Sequence, residues 1–134
     1  MDDATSLIVD LLARGHAVQF RARGDSMYPV IRDNDLLHVE PAQRIARGDV
    51  VLILADRGLT AHRVTSRRGT TIVTRGDNAP APDDACDASQ VLGKVLYAER
   101  DGKRVNVWSA LARATAFLRR TLHRSAHAYG VRRP

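Results

Sequence analysis

The chain has 134 residues, of which 44% are hydrophobic and 27% are charged, a composition typical of one soluble globular domain. No apolar run approaches the ~18 residues that a membrane-spanning helix needs, and the single cysteine, Cys86, excludes an internal disulfide and is too little for a structural zinc site. We therefore expect a cytoplasmic protein with no signal peptide or membrane anchor, and with no metal or cofactor.

The net charge of +6 is confined to the C-terminal end of the chain. All 15 acidic residues precede Ser109, and 15 of the 21 basic residues accompany them, so that part of the chain is neutral. Residues 109–134 contain six arginines and no acidic residue. The six aromatic residues are also too few for a base-stacking platform. We therefore expect no nucleic acid among the partners.

The chain begins with a predicted helix and continues with predicted strands. In residues 4–14 apolar side chains recur at helical spacing, with Thr5 or Ser6 as the N-cap and Gly15 as the C-terminal stop. From Val18 the apolar period changes to two, which is typical of a half-buried strand. The segments with strand character after this one are residues 36–40, 49–54, 60–65, 70–74, 91–98 and 104–107.

The connections between these strands are short. Residues 76–90 form a polar segment rich in Pro and Asp, which predicts a loop, and Asp101-Gly102 predicts a hairpin turn. Many short strands with frequent turn residues predict a mainly β fold, a compact and strongly curved sheet or partial barrel. We expect this domain, with its short N-terminal helix, to span residues 1–107.

Residues 108–134 differ in character and predict a basic amphipathic C-terminal helix and tail. Two sets of residues form its apolar and basic faces: Trp108, Leu111, Thr115, Leu118 and Leu122, and Arg113, Arg120 and Arg124. Two interpretations stay open. Either the apolar face packs on the β domain, or residues 108–127 dock on an anionic membrane surface as a peripheral contact.

Three places in the sequence suggest chemistry. Ser26 lies on a tight bend, where a hydroxyl is exposed and nearby N–H groups are free to receive an oxyanion. His62 lies in the middle of a strand, and the turn formed by residues 76–78 is followed by Asp83. Taken alone, each is typical of an ordinary turn or strand.

Together, these pieces form a recognisable series. The series is SMYP (residues 26–29), GDVV (48–51), AHRV (61–64), TRGDN (74–78) with Asp83, and LGKV (92–95). In order and spacing it resembles the signal peptidase family, which is related to the LexA-type self-cleaving repressors, over roughly residues 18–107. The resemblance implies a coiled β fold of the signal peptidase type, and peptide cleavage by the serine that begins the SMxP box.

The resemblance also implies a role for each polar residue. Ser26 matches the nucleophile, and His62 matches the base of the archaeal and endoplasmic-reticulum type, where most bacterial members have a lysine. Asp83 matches the acid that orients the histidine, with Asp84 as the adjacent alternative. Asp77 matches a second acidic position, which either contacts the imidazole or shapes the loop. A neutral imidazole can take the serine proton, and a carboxylate beside it holds the tautomer.

The residues around the serine carry further expectations. Met27 and Tyr28 follow the nucleophile and line the substrate groove, or Met27 packs beneath the serine. Many signal peptidases have a Ser-Gly pair directly before the nucleophile, where this sequence has Gly24 and Asp25. The oxyanion would then depend on main-chain donors, including the N–H of Ser26.

The sequence therefore predicts a serine endopeptidase of the signal peptidase type, which cleaves a peptide or precursor segment by a Ser/His/Asp mechanism. The first alternative is a non-catalytic module that binds a peptide or partner protein on the same fold. The second is a nucleic-acid or membrane-surface binder acting through the basic tail. The presence of Ser26, His62, Asp77 and Asp83 together favours the peptidase, because a binding module does not need all four.

Overall fold

A computed structural model describes residues 2–108 of the chain. The predicted C-terminal helix and its two alternatives fall almost entirely outside the described residues. Within residues 2–108 the fold is mainly β, an eight-stranded antiparallel sheet that does not close into a barrel, preceded by one helix. The predicted fold class is confirmed.

The helix and strands follow one another with short connections. Their bounds are α1 (Asp3–Ala13), β1 (Val18–Arg21), β2 (Leu36–Pro41), β3 (Val50–Ala55), β4 (Gly58–Arg68), β5 (Thr71–Arg75), β6 (Cys86–Asp87), β7 (Val91–Arg100) and β8 (Lys103–Val105), with a 3-10 turn at Ala88–Gln90. The strand order is β1-β2-β7-β3-β4-β5-β6, and β8 also pairs with β7. Strand β7 is the centre of the sheet, because β2 pairs with one of its edges, and β3 and β8 pair with the other.

The N-terminal cap differs from the prediction. The N-cap is Asp2, whose carboxylate accepts a hydrogen bond of 2.7 Å from the N–H of Thr5, rather than Thr5 or Ser6. A carboxylate at this end also complements the helix dipole, and the hydrogen bond from Thr5 lowers the pKa of Asp2. The predicted stop is in place, because Gly15 adopts a φ of 89° directly after the helix.

Two further boundaries were predicted incompletely. Residues 76–90 contain the short strand β6, which pairs with Thr71 and Ile72, and a 3-10 turn capped by Asp87. Strand β4 is also longer than the predicted residues 60–65, since it pairs with β3 along one part and with β5 along another. The Asp101-Gly102 turn is as predicted, with φ values of 53° and 73°.

Both faces of the sheet contribute buried residues. On β3, Val50 and Leu52 pack in the larger core cluster with α1, whereas Val51 between them packs in a second cluster with Val64 and Ile72. Successive residues of a strand point to opposite faces, so one strand supplies both clusters. Strand β4 uses the same alternation to direct two neighbouring polar residues to opposite faces.

Candidate active site

Ser26 lies in the turn between β1 and β2 and is exposed. The turn is held by main-chain hydrogen bonds, from the N–H of Tyr28 to the oxygen of Asp25 (3.1 Å) and from the N–H of Ile31 to the oxygen of Met27 (3.0 Å). Met27 is buried in the larger core cluster. The buried side chain of Met27 therefore anchors the turn, while the neighbouring residue Ser26 stays at the surface.

A second turn, at residues 76–78, packs against the serine turn. The N–H of Asn78 donates to the oxygen of Ser26 (2.9 Å), and its side-chain amide donates to the oxygen of Asp25 (3.1 Å). The N–H of Asp77 donates to the sulfur of Met27 at 3.3 Å. These contacts fix the position of Ser26 relative to the end of β5.

His62 and Asp83 are brought together across the sheet. Nδ1 of His62 lies 2.6 Å from Oδ2 of Asp83, and the side chains are 12% and 39% exposed. Asp83 is also held by Thr74, which contributes both its hydroxyl and its main-chain oxygen. Of the two adjacent acidic residues it is therefore Asp83, and not the exposed Asp84, whose carboxylate contacts the imidazole.

The other ring nitrogen of His62 lies toward the serine turn. A Cβ added at Gly76 would lie 3.1 Å from Nε2 of His62 and 2.6 Å from the main-chain oxygen of Ser26. The space between the imidazole and the serine turn is thus smaller than one methyl group, and glycine is the residue that leaves it open. Within residues 2–108 the hydroxyl of Ser26 has no hydrogen-bond partner.

Asp77 makes a different contact, with Arg63. Nε and Nη2 of Arg63 donate to the two carboxylate oxygens at 2.9 and 2.8 Å, and the side chains are 8% and 1% exposed. Nη1 of Arg63 donates to the main-chain oxygens of Gly48 (2.9 Å) and Val107 (3.0 Å). Of the two roles left open for Asp77, this placement corresponds to shaping the loop.

The sequence interpretation overlooked Arg63, although the residue lies in the quoted AHRV motif. An arginine in the middle of a strand needs a counter-charge where the sheet buries it. Period-two alternation also places it on the face opposite His62. These two signals could have indicated a structural ion pair.

The two residues after the serine lie in different environments. Met27 packs beneath the turn, which is the second of the two placements expected for it. Tyr28 is exposed at the surface, with the guanidinium of Arg32 5.3 Å from its ring centroid. Tyr28 is thus the member of this pair that a bound peptide could reach.

In a comparison with protein-family models, residues 2–96 match the model described as Peptidase S24-like. The chain belongs to this family. This S24-like domain therefore has the serine-peptidase type of fold that LexA and the signal peptidases share. A comparison with curated proteins gives no match. Among residues 2–108, no helix has the length and apolar character needed to cross a membrane.

Two other reactive side chains of the S24-like domain are Lys94 and Cys86. Nζ of Lys94, on β7, forms an ion pair with Oδ2 of Asp49 at 3.1 Å. Burial raises the pKa of the Cys86 thiol, which keeps it protonated at neutral pH. The resemblance to the signal peptidases implies Ser26 and His62 for the roles of nucleophile and base.

The serine turn of the S24-like domain also offers main-chain donors. Within residues 2–108, the N–H groups of Ser26 and Met27 form no hydrogen bond. Free N–H groups beside a nucleophile are the donors that stabilise an oxyanion in acyl transfer. These N–H groups are candidate oxyanion donors in a chain that has Gly24 where many signal peptidases have a serine before the nucleophile.

Proposed function

We propose that this S24-like domain is a serine endopeptidase of the histidine-base type that cleaves a peptide or precursor segment through Ser26, His62 and Asp83. The observation that carries the proposal is the orientation of the imidazole. Its Nδ1 lies 2.6 Å from the carboxylate of Asp83, and its Nε2 lies toward the serine turn. A carboxylate on one ring nitrogen, with the serine turn on the side of the other, supports a Ser/His/Asp mechanism.

The chemistry follows from these positions. Neutral His62 accepts the Ser26 hydroxyl proton on Nε2 while Oγ attacks the peptide carbonyl carbon. The main-chain N–H groups of Ser26 and Met27 stabilise the oxyanion, and Asp83 stabilises the imidazolium. The imidazolium then gives its proton to the leaving amine, and water hydrolyses the acyl-enzyme with His62 again as the base.

An unpaired strand edge next to His62 supports an extended substrate. Strand β4 pairs with β3 over residues 58–63 and with β5 only from Arg63 onward. Within residues 2–108, no strand therefore pairs with the second edge of residues 58–62. An extended peptide can add to such an edge through main-chain hydrogen bonds. A peptide bound there would run toward the base.

The proposal is tested with a fluorophosphonate probe, which reacts with an activated serine. We expect the wild-type protein to be labelled, and both Ser26→Ala and His62→Ala to be unlabelled. Ser66→Ala is the matched control, because Ser66 also lies on this sheet but outside the site, and it should be labelled as the wild type is. Labelling should slow as the pH is lowered, since a protonated imidazole cannot accept the serine proton.

Two outcomes would contradict the peptidase. Labelling of Ser26→Ala at the wild-type rate would show that another residue reacts. A wild-type protein that binds extended peptides but is neither labelled nor able to cleave them would instead be a peptide-binding module, since the open edge of β4 serves that function equally well.

A further inference from the structure

Thr74 makes contacts that the proposed triad does not use. It lies on β5 and is 4% exposed. Its hydroxyl donates a hydrogen bond of 2.8 Å to Oδ2 of Asp83, the same oxygen that lies 2.6 Å from Nδ1 of His62. Its main-chain oxygen accepts a hydrogen bond of 2.9 Å from the N–H of Asp83. One residue thus holds both the main chain and the carboxylate of Asp83.

Asp83 depends on this support because its own segment gives it little. It follows an exposed stretch, residues 80–82, and its side chain is 39% exposed. Within residues 2–108, Thr74 and His62 are the side chains that contact its carboxylate. A carboxylate this open would turn toward water if the imidazole alone held it.

Thr74, by contrast, is rigidly placed. Thr74 is paired with Val64 in the β4–β5 ladder. Val64 lies on β4, two residues after His62. Its branched Cβ restricts the side-chain torsion, so the hydroxyl has little freedom to turn away. The hydroxyl therefore has a fixed position relative to the base.

We propose that Thr74 is a positioning residue, whose hydroxyl keeps Oδ2 of Asp83 on Nδ1 of His62. The proton of the neutral imidazole then stays on Nδ1, and Nε2 stays free to accept the proton of Ser26. This inference rests on the proposed function as far as catalysis is concerned. Without a fixed carboxylate, the neutral ring also populates the tautomer with its proton on Nε2, which cannot act as a base there.

The first experiment measures the tautomer directly. Nitrogen-15 NMR of histidine-labelled protein, at a pH where His62 is neutral, distinguishes protonation on Nδ1 from protonation on Nε2. We expect one tautomer, protonated on Nδ1, in the wild type and in Thr74→Ser, which keeps the hydroxyl. Thr74→Val, which removes it, should show a mixture. Thr65→Val is the matched control, because it removes a hydroxyl that donates to the oxygen of Val73 in the same hairpin.

The second experiment measures peptide cleavage. Thr74→Val should lower kcat about 10- to 100-fold with KM unchanged, the loss expected for one hydrogen bond to a charged group. Thr74→Ser should restore most of kcat. In an Asp83→Asn background, adding Thr74→Val should cost nothing more, because the hydroxyl acts through that carboxylate.

The outcomes separate this inference from the proposed function. A single Nδ1-protonated tautomer in a folded Thr74→Val, or full additivity with Asp83→Asn, would overturn the role of Thr74. Since the NMR measurement needs no turnover, an inactive wild-type protein whose tautomer still shifts in Thr74→Val would overturn the peptidase and uphold control of the imidazole by the hydroxyl.

Discussion

His62 and Arg63 are neighbours on β4, yet their side chains lie on opposite faces of the sheet, and each contacts an aspartate that follows β5. The His62–Asp83 contact is open, with the carboxylate 39% exposed. The Arg63–Asp77 contact is buried, bidentate and supported by two further hydrogen bonds from the guanidinium to main-chain oxygens. Two residues of the same type, Asp83 and Asp77, thus form an open and a buried contact, and the difference lies in their surroundings.

The buried pair is suited to holding the structure. Each guanidinium nitrogen and each carboxylate oxygen has a hydrogen-bond partner, and the pair joins β4, the loop before β3 and Val107 to the turn at residues 76–78. That turn in turn holds the main chain of Ser26. The open pair holds only one ring, and in the proposed mechanism this ring exchanges protons with Ser26 and the substrate.

The largest expected effect comes from Asp83→Asn, in the open pair. An amide in this position can no longer stabilise the imidazolium or enforce the tautomer, so kcat should fall by about 10⁴-fold, as in other triads. The free energy of unfolding should change little, because the carboxylate is exposed. Steady-state cleavage and thermal unfolding of the same preparation measure the two quantities. An active Asp83→Asn enzyme would remove this residue from the mechanism.

The same change in the buried pair should act on stability. Asp77→Asn leaves the charge of Arg63 buried without a counter-charge, which costs about 3–5 kcal/mol of the free energy of unfolding. Urea unfolding measures this loss. Asp10→Asn is the matched control, since its ion pair with Arg14 is exposed and should be worth at most about 0.5 kcal/mol. An Asp77→Asn protein as stable as the wild type would contradict the structural role.

Much of the fold could be predicted from the sequence, because strand periodicity is a local property. The alternation of Val18 and Phe20 and the turn at Asp101-Gly102 needed no tertiary information. Strand β6 was not predictable, because the two residues Cys86 and Asp87 carry no period and become a strand only by pairing with β5. The cap at Asp2 was missed because Thr5 and Ser6 are equally good N-cap residues by type.

The sequence names candidate residues for the site but does not determine their contacts. The resemblance to the signal peptidases implied Ser26, His62, Asp77 and Asp83, but it left open whether Asp83 or Asp84 contacts the imidazole. Thr74 and Arg63 were quoted in motifs without a role, because their partners lie nine and 14 residues away in sequence. Such contacts depend on the register of β4 and β5.

Gly76→Ala tests the space between the two turns and should have a smaller effect than either aspartate substitution. The new methyl group would lie 2.6 Å from the oxygen of Ser26, so the serine turn must move away from His62. A misplacement of about 1 Å can cost about 100-fold in rate. We expect kcat to fall by this order while far-UV circular dichroism is unchanged. Wild-type kcat would show that the separation of the turns does not set the rate.

The smallest effect is expected from Asp84→Asn, which tests whether Asp83 or Asp84 contacts the imidazole in the open pair. Asp84 is exposed, and its neighbour Asp83 already accepts both the Thr74 hydroxyl and the imidazole contact on one carboxylate oxygen. The substitution should leave kcat/KM within about twofold and the free energy of unfolding within about 0.5 kcal/mol of the wild-type values, as is usual for a surface change.

Because the two aspartates are adjacent and are residues of the same type, long-range electrostatic effects of Asp84→Asn and Asp83→Asn should be similar. A large difference between the two variants therefore measures the contact itself. An inactive Asp84→Asn beside an active Asp83→Asn would move the orienting carboxylate by one residue, and the positioning role of Thr74 would fall with it.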